Sequence, residues 1–286
     1  MCTIAADQKT IVRPIRATDV PDILRLVDSA RRVHLRLSPD SLKARLGSSP
    51  GFLAEDPVGL RGFMVIEPHI SGTAVIVAAA VRDTWGVRPY LAAVLPEVEQ
   101  AAREKGAAIT HIGYDEWLVD GLGEHGFEIC EWIVNFERFG SWPKSIVTMP
   151  ALVRTAHLHD LSAILALDNL VFDQLWRKTE SNFSEALARA VSFVVAEMEG
   201  QIVGYEWCEI YRKHAHLARI AVHPNYEGLG IGSQLLYQAI VDSLSRNVNL
   251  ITLNTQENNV RSHALYQRFD FVQTDQRIPV LCKDIG

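Results

Sequence analysis

An internal repeat constrains this chain more than any other feature. Residues 15–28 read IRATDVPDILRLVD and residues 153–166 read VRTAHLHDLSAILA. At a separation of 138, Arg16 falls on Arg154, Val20 on Leu158, Asp22 on Asp160, Ile23 on Leu161 and Leu26 on Ile164. Each copy has the pattern of a short strand, a polar turn and an amphipathic helix, with apolar residues recurring at three- and four-residue steps. A second pair, GEHGFE at 123–128 and YQRFDFV at 266–272, closes a helix before a strand-like run in each half. A chain of 286 residues has room for two such copies as separate domains. Gly140, Pro143 and Pro150 punctuate the stretch between them, which predicts domains at 1–145 and 146–286.

Both halves mix strand and helix patterns. VIVAAAV at 75–81 and SFVVAEM at 192–198 read as strands, and LAAVLPEVEQAAREKG at 91–106 and SQLLYQAIVDSLSR at 233–246 as helices. The expected class is α/β, duplicated. With 48% hydrophobic and 22% charged residues the composition is that of a globular protein. Lys and Arg total 28 against 34 Asp and Glu, a formal charge of −6, which argues against a nucleic-acid partner that would need a basic face. The four cysteines, Cys2, Cys130, Cys208 and Cys282, show no paired spacing. They are expected to be isolated thiols in a reducing compartment, with no metal site. No apolar run approaches a membrane span and the N-terminus lacks the order of a secretory signal, so the expected location is the cytoplasm, with no membrane partner.

The chemistry is concentrated in LARIAVHPNYEGLGIGSQLLYQAIVDSLS at 217–245. An apolar strand ends at Val222, glycines follow at 228, 230 and 232, and a helix with Leu235, Leu236, Ala239 and Ile240 on one face comes next. Bare backbone at a helix start offers free N–H groups and the positive end of the macrodipole, the physical recipe for holding a phosphate or diphosphate. A tight strand-to-helix turn with no ligand would use the same glycines. A nucleoside-triphosphate P-loop would need Lys before a Ser or Thr, and Ser233-Gln234 stand there instead. The dinucleotide fingerprint wants GxGxxG in the first βα unit, whereas GLGIGS is spaced GxGxG deep in its half.

AVHPNYEGLGIGSQLL resembles motif A of the GCN5-related N-acetyltransferases, the GNAT superfamily, with Gly230 and Gly232 on the signature glycines. LNTQENNVRSHALYQRFDF at 253–271 is similar to the family's second hallmark through Asn259, Ser262, Leu265, Tyr266 and Phe271. The resemblance implies two tandem GNAT-like domains, each a mixed twisted sheet flanked by helices with splayed central parallel strands. It implies acetyl-CoA as co-substrate, with no metal, and a small-molecule or peptide amine as acceptor. Ile220, Ala221 and Val222 would pair with the pantetheine arm. Glu227, Gly228, Leu229, Gly230, Ile231, Gly232 and Ser233 would hold the diphosphate, and Asn259 and Ser262 would meet the cofactor chain. Tyr266 would be the acid that protonates the departing thiolate.

Two departures stand out. Glu227 occupies the usual place of Arg or Gln, and Asp270 that of a glycine expected in left-handed geometry, which Asp tolerates. No glutamate lies on HAHLARIAV at 214–222, so Glu206, Glu209 and His216 are the candidates for the base. At a separation of 144, Gly230 falls on Gly86, but Gly228 falls on Thr84, Gly232 on Arg88 and Tyr266 on Leu122. The first half is therefore expected to be a degenerate, non-catalytic copy. A non-catalytic acyl-CoA sensor or structural module is the alternative for the whole chain, and a homodimer is compatible with the pattern.

Overall fold

The computed structural model describes residues 10–69, 72–104, 108–140, 142–143, 148–211 and 213–285. Cys2, residues 105–106 of the expected first-half helix and linker residues 144–147 lie outside that set. The chain forms two compact units, Met1–Trp132 with Ile278–Gly286, and Ile133–Arg277. The linear division expected at 145/146 differs from these units at both ends.

The first half supplies β1 (Ile11–Pro14), α1 (Val20–Ser29), β2 (Arg32–Leu35), α2 (Pro39–Arg45), β3 (Gly51–Asp56), β4 (Gly59–Pro68) and β5 (Thr73–Val81). It continues with α3 (Val87–Arg103), β6 (Ala108–Ile112), α4 (Glu116–Gly123) and β7 (Glu128–Phe139). The second half supplies β8 (Leu152–Thr155), α5 (Leu161–Val171), α6 (Glu180–Arg189), β9 (Ser192–Met198) and β10 (Gln201–Tyr211). After these come β11 (His214–Val222), α7 (Ile231–Ser245), β12 (Leu250–Gln256), α8 (Val260–Arg268) and β13 (Val272–Asp284). The result is a mixed α/β fold in each unit, with helices against the sheet.

In the first unit the strands run β1-β3-β4-β5-β6-β13, and in the second β7-β12-β11-β10-β9-β8. Each sheet is thus completed by a strand from the other half of the sequence. Val280–Asp284 pairs antiparallel with Ile112–Ala108, and Ile133–Phe139 pairs antiparallel with Gln256–Leu250. These pairings carry Ile278–Asp284 into the first unit and Ile133–Phe139 into the second. Leu281 and Ile285 accordingly sit in the first unit's core with Tyr90, Leu91, Val94 and Val98 of α3. Val134 and Phe136 sit in the second unit's core with Leu236, Ala239 and Ile240 of α7. On the opposite face of the second sheet, Ile164 and Leu167 of α5 and Phe183 of α6 cover Tyr205 and Trp207.

The repeat is real, but its register is 141 rather than 138 over the first elements. Arg13, not Arg16, is the counterpart of Arg154. Arg13 binds Asp19 at 2.7 Å and Glu55 at 2.8 Å, and Arg154 binds Asp160 at 2.8 Å and Glu197 at 3.1 Å. In both copies the aspartate also accepts the backbone N–H three residues before it, from Arg16 and from His157. The hydrogen bonds from Arg154 pull the Asp160 carboxyl down to about 2.

The expectation of isolated thiols is corrected as well. Cys130 and Cys282 form a disulfide within the first unit, with Cα atoms 5.9 Å apart across a sequence separation of 152. Strand pairing brings them together, which spacing along the chain could not reveal. Cys208 is free and buried. No described helix is long and apolar enough to cross a membrane.

Candidate functional site

The second unit's central strands diverge. β11 pairs in parallel with β12 from His214↔Leu250 to Leu217↔Leu253, and the ladder ends there. On its other side β11 stays with β10 to Val222, with Ala218 left unmatched between Trp207↔Arg219 and Cys208↔Leu217. That bulge turns the strand at the point where the two parallel neighbours part. Among the described residues the β12 side of Ile220, Ala221 and Val222 therefore carries no ladder partner, and its backbone is available to an extended ligand arm.

Beyond Val222 the chain makes a short 3-10 turn at Pro224–Tyr226 and enters α7 through Gly228 and Gly230, at φ 79° and 93°. Left-handed backbone at both positions explains glycine there. Gly230 caps α7, and the first helical bond runs from Gln234 N to Gly230 O at 3.0 Å. The N–H groups of Ile231, Gly232 and Ser233 thus precede the helical ladder, and an anion can satisfy them. A Cβ on Gly230 would also come within 2.7 Å of Thr148 Oγ1. Gln234 ties that incoming segment down: its Oε1 accepts from Ala151 N and its Nε2 donates to Ala151 O at 2.8 Å. Glu227, at the head of the loop, is ion-paired with Arg261 in the first turn of α8.

Asn259 is the N-cap of α8. Its side chain accepts from Ser262 N at 3.2 Å and its Nδ2 reaches Thr255 Oγ1 at 3.4 Å. Both residues stand at the mouth of the diverging strands, already engaged with each other. Tyr266, two turns on, is buried against Phe136 and Phe271 with ring centroids 5.7 and 6.0 Å away. Burial pushes its hydroxyl up to about 12, so it remains a protonated donor at neutral pH. Asp270 does adopt left-handed geometry, φ 64°, as does Gly126 in the first half.

The three candidate bases separate cleanly. Glu206 is fully buried under α7. Ser192 Oγ lies 2.5 Å from Glu206 Oε1 and 2.7 Å from Asp242 Oδ2. One hydroxyl can donate only once, so a second proton is required, and burial raises the Glu206 carboxyl to hold it. Glu206 is a structural acid. Glu209 and His216, by contrast, are cross-strand partners on the face away from α7. Tyr211 donates its hydroxyl to Glu209, and its ring lies 6.4 Å from that of His216. His216 Nδ1 is 2.9 Å from Thr252 Oγ1, which itself donates to Ala215 O at 3.3 Å. That direction assigns the Nδ1–H tautomer and leaves Nε2 as the acceptor. Burial, then neighbouring His214, lowers the His216 pKa, so the ring is neutral at pH 7.

A cluster that sequence reasoning missed organises the α5–α6 connection. Asp168, fully buried on α5, accepts from Tyr205 Oη at 2.5 Å, Arg219 Nε at 2.8 Å and Lys178 N at 2.9 Å. Arg219 also donates to Trp176 O at 2.7 Å and stacks on Phe172. A buried charge needs such partners. The available signal was Arg219 itself, a charge inside an apolar strand that demanded an acid nearby.

The first unit builds the same place differently. β5 and β6 pair in parallel only from Thr73↔Ala108 to Val75↔Thr110. The stretch Ala78–Val81, the counterpart of Arg219–Val222, is paired antiparallel with β2, Leu35↔Ala78 through Arg32↔Val81. His34 of β2 binds Asp115, the N-cap of α4 and counterpart of Asn259, at 2.6 Å. The connection from β5 to α3 is five residues (82–86) against eight (223–230) in the second unit. Gly86, its cap, has φ −77°. Among the described residues no group of metal-ligating side chains occurs in either unit.

Residues 159–271 match the Acetyltransferase (GNAT) family. Over 77 residues the chain is 32% identical to ribosomal protein bS18-alanine N-acetyltransferase of Haemophilus influenzae, spanning 27% of this chain and 52% of that protein. Over 156 residues it is 25% identical to mycothiol acetyltransferase of Saccharomonospora viridis, spanning 47% of this chain and 50% of that protein. The chain therefore spans about half the length of these two relatives. A tandem GNAT protein from the clavulanic acid biosynthesis pathway has the same fold throughout, with TM-score 0.67, 14% identity and coverage of 97% of this chain and 99% of that one.

Proposed function

Because residues 159–271 form a domain of the GNAT acetyltransferase family, we propose that the second unit moves an acetyl group from acetyl-CoA to a primary amine and that the first unit is non-catalytic. The observation that carries this reading is the pairing of two left-handed glycines at the α7 cap with an unladdered strand end at Ile220–Val222. A diphosphate fits the first and a pantetheine amide arm the second. Acetyl-CoA supplies an activated thioester.

The residues of this chain divide the work as follows. The N–H groups of residues 228–233 bind the diphosphate, and the backbone of Ile220–Val222 aligns the arm beside the bulge at Ala218. Fixing both reactants contributes much of the acceleration. The attacking amine forms a C–N bond to the acyl carbon as the C–S bond breaks. His216 Nε2, oriented through Thr252, accepts the proton the nitrogen loses. Tyr266 donates its hydroxyl proton to the thiolate. Since thiols ionise near 8.5, that assistance is useful rather than indispensable. Glu209, held by Tyr211, lies beside His216 and supports the imidazolium once it forms. Two relatives act on an alanine of a ribosomal protein and on a mycothiol, as their names state. An amine on a peptide or a small metabolite is the corresponding acceptor class here.

Calorimetric titration with acetyl-CoA, followed by thiol release over a panel of amines, tests this. Heat with a binding stoichiometry of one per chain and thiol release on at least one amine is the expected result. Heat without release on any amine would leave the acyl-CoA sensor as the better reading, and no heat would remove both.

A further inference from the structure

The first position of the glycine loop carries the wrong charge for a dianionic ligand. Glu227 stands there, next to Gly228, and would repel a diphosphate. Its carboxylate is taken up by Arg261 Nη1 from α8, 34 residues further along the chain. A second contact shows that this approach is built into the packing. Leu265, one turn after Arg261 on the same helix face, lies 3.5 Å from the Cβ position of Gly232 in α7. The first turn of α7 is thereby packed against the second turn of α8, and Arg261, one turn earlier on the same face, stands beside the loop. A guanidinium has five N–H donors, and the contact with Glu227 uses Nη1 alone.

We propose that Arg261 supplies the cation that position 227 lacks: Glu227 anchors it, and its remaining donors bind a phosphate oxyanion of the CoA ligand. This rests on the CoA reading given above. It goes beyond that reading because the charge comes from the helix that follows β12 and not from the loop itself. In this arrangement Glu227 and Arg261 are a coupled pair, and reversing both should recreate a cation at the loop.

Four chains decide the matter by calorimetry with CoA: native, R261E, E227R and the double variant E227R/R261E. Loss of a charge-assisted contact predicts roughly ten-fold or greater weakening in R261E. The double variant should return to within a few-fold of native, since it keeps a cation and an anion in contact at the same place. Dephospho-CoA identifies the group. A loss that persists with it assigns Arg261 to the diphosphate, and one that vanishes assigns it to the ribose 3′-phosphate. Native affinity in R261E, or a double variant no better than R261E, would overturn the inference while leaving CoA binding intact. Failure of the native chain to bind CoA would instead remove the proposed function and this inference together.

Discussion

The two units share a scaffold and differ at one groove. In each, two central parallel strands pair over a few residues and then part. In the second unit no described strand takes the freed edge of β11, the connection to α7 is long, and two of its glycines are left-handed. In the first unit β2 has taken the edge of β5, the connection is three residues shorter, and its capping glycine is in ordinary extended geometry. His34 on β2 meets Asp115 where Asn259 stands in the second unit. The first groove is thus filled by the protein's own backbone and side chain. Such a gap can be closed without disturbing the core, because the strands, helices and caps around it are independent of what lies in it.

The largest expected effect concerns how each unit is closed. The disulfide Cys130–Cys282 joins β7 to β13 within the first unit, and the second unit has no described equivalent. Across a separation of 152 residues, the chain-entropy model assigns such a link up to about 5 kcal/mol. A C130S/C282S chain should therefore show a large fall in the urea midpoint of the first unit, with CoA binding at ambient temperature retained. An unchanged midpoint would mean that β13 is held by pairing and packing alone.

The glycine difference is tested next. Gly230→Val must place a branched residue at φ 93° and bring its Cβ within 2.7 Å of Thr148 Oγ1. It should weaken CoA binding by about 100-fold or more, a loss near 3 kcal/mol. Gly86→Ala, at the corresponding cap with φ −77°, should leave CoA affinity unchanged. If Gly86→Ala weakened CoA and Gly230→Val did not, the assignment of the two units would be reversed. A smaller effect is expected from Tyr266→Phe, which removes only a proton donor and keeps the ring packed on Phe136 and Phe271. Turnover should fall about ten-fold with CoA affinity preserved. Leu122→Phe, at the first unit's counterpart, should leave kcat alone.

What could be read in the sequence was local. The glycine loop, the helix carrying Tyr266 and the left-handed Asp270 are each written in adjacent residues, and the structure places them where their spacing implied. The repeat was legible too, but Arg13 and Arg16 compete as partners for Arg154, and only the ion pairs with Asp19 and Glu55 decide between them. The shift from 141 to 144 between early and late elements is the shortened β5–α3 connection. β2 was not legible. RVHL is four residues without a turn signal, and it becomes a strand because an open edge lies beside it. The exchange of β7 and β13 and the disulfide depend on pairings between distant segments, which periodicity does not encode. Glu206 looked like a base candidate because sequence does not show which face of β10 lies under α7.

The finest test of the contrast is pH, because His111 in the first unit and Glu206 in the second are buried titratable groups shifted in opposite senses. In the first unit His111 is fully buried with neither ring nitrogen hydrogen-bonded, and burial lowers it to about 3. The unfolded chain binds that proton near 6.5 and the folded unit does not, so the first unit loses stability as pH falls below 6.5, toward 3. In the second unit Glu206 is raised by burial. The folded unit keeps its proton while the unfolded chain releases it near 4.5, so the second unit loses stability as pH rises above 4.5 toward the raised folded value. Each slope is at most about 1.4 kcal/mol per pH unit. Below pH 6.5 His216, also lowered by burial, opposes Glu206 in the second unit. Above pH 6.5 both histidines are neutral folded or unfolded, so rising pH should lower the second unit's urea midpoint while His111 leaves the first unit's unmoved. His111→Leu should flatten the first slope and Glu206→Gln the second, each leaving the other unit's profile as it was. A second-unit midpoint that held steady above pH 6.5 would show that Glu206 does not set that unit's response to rising pH.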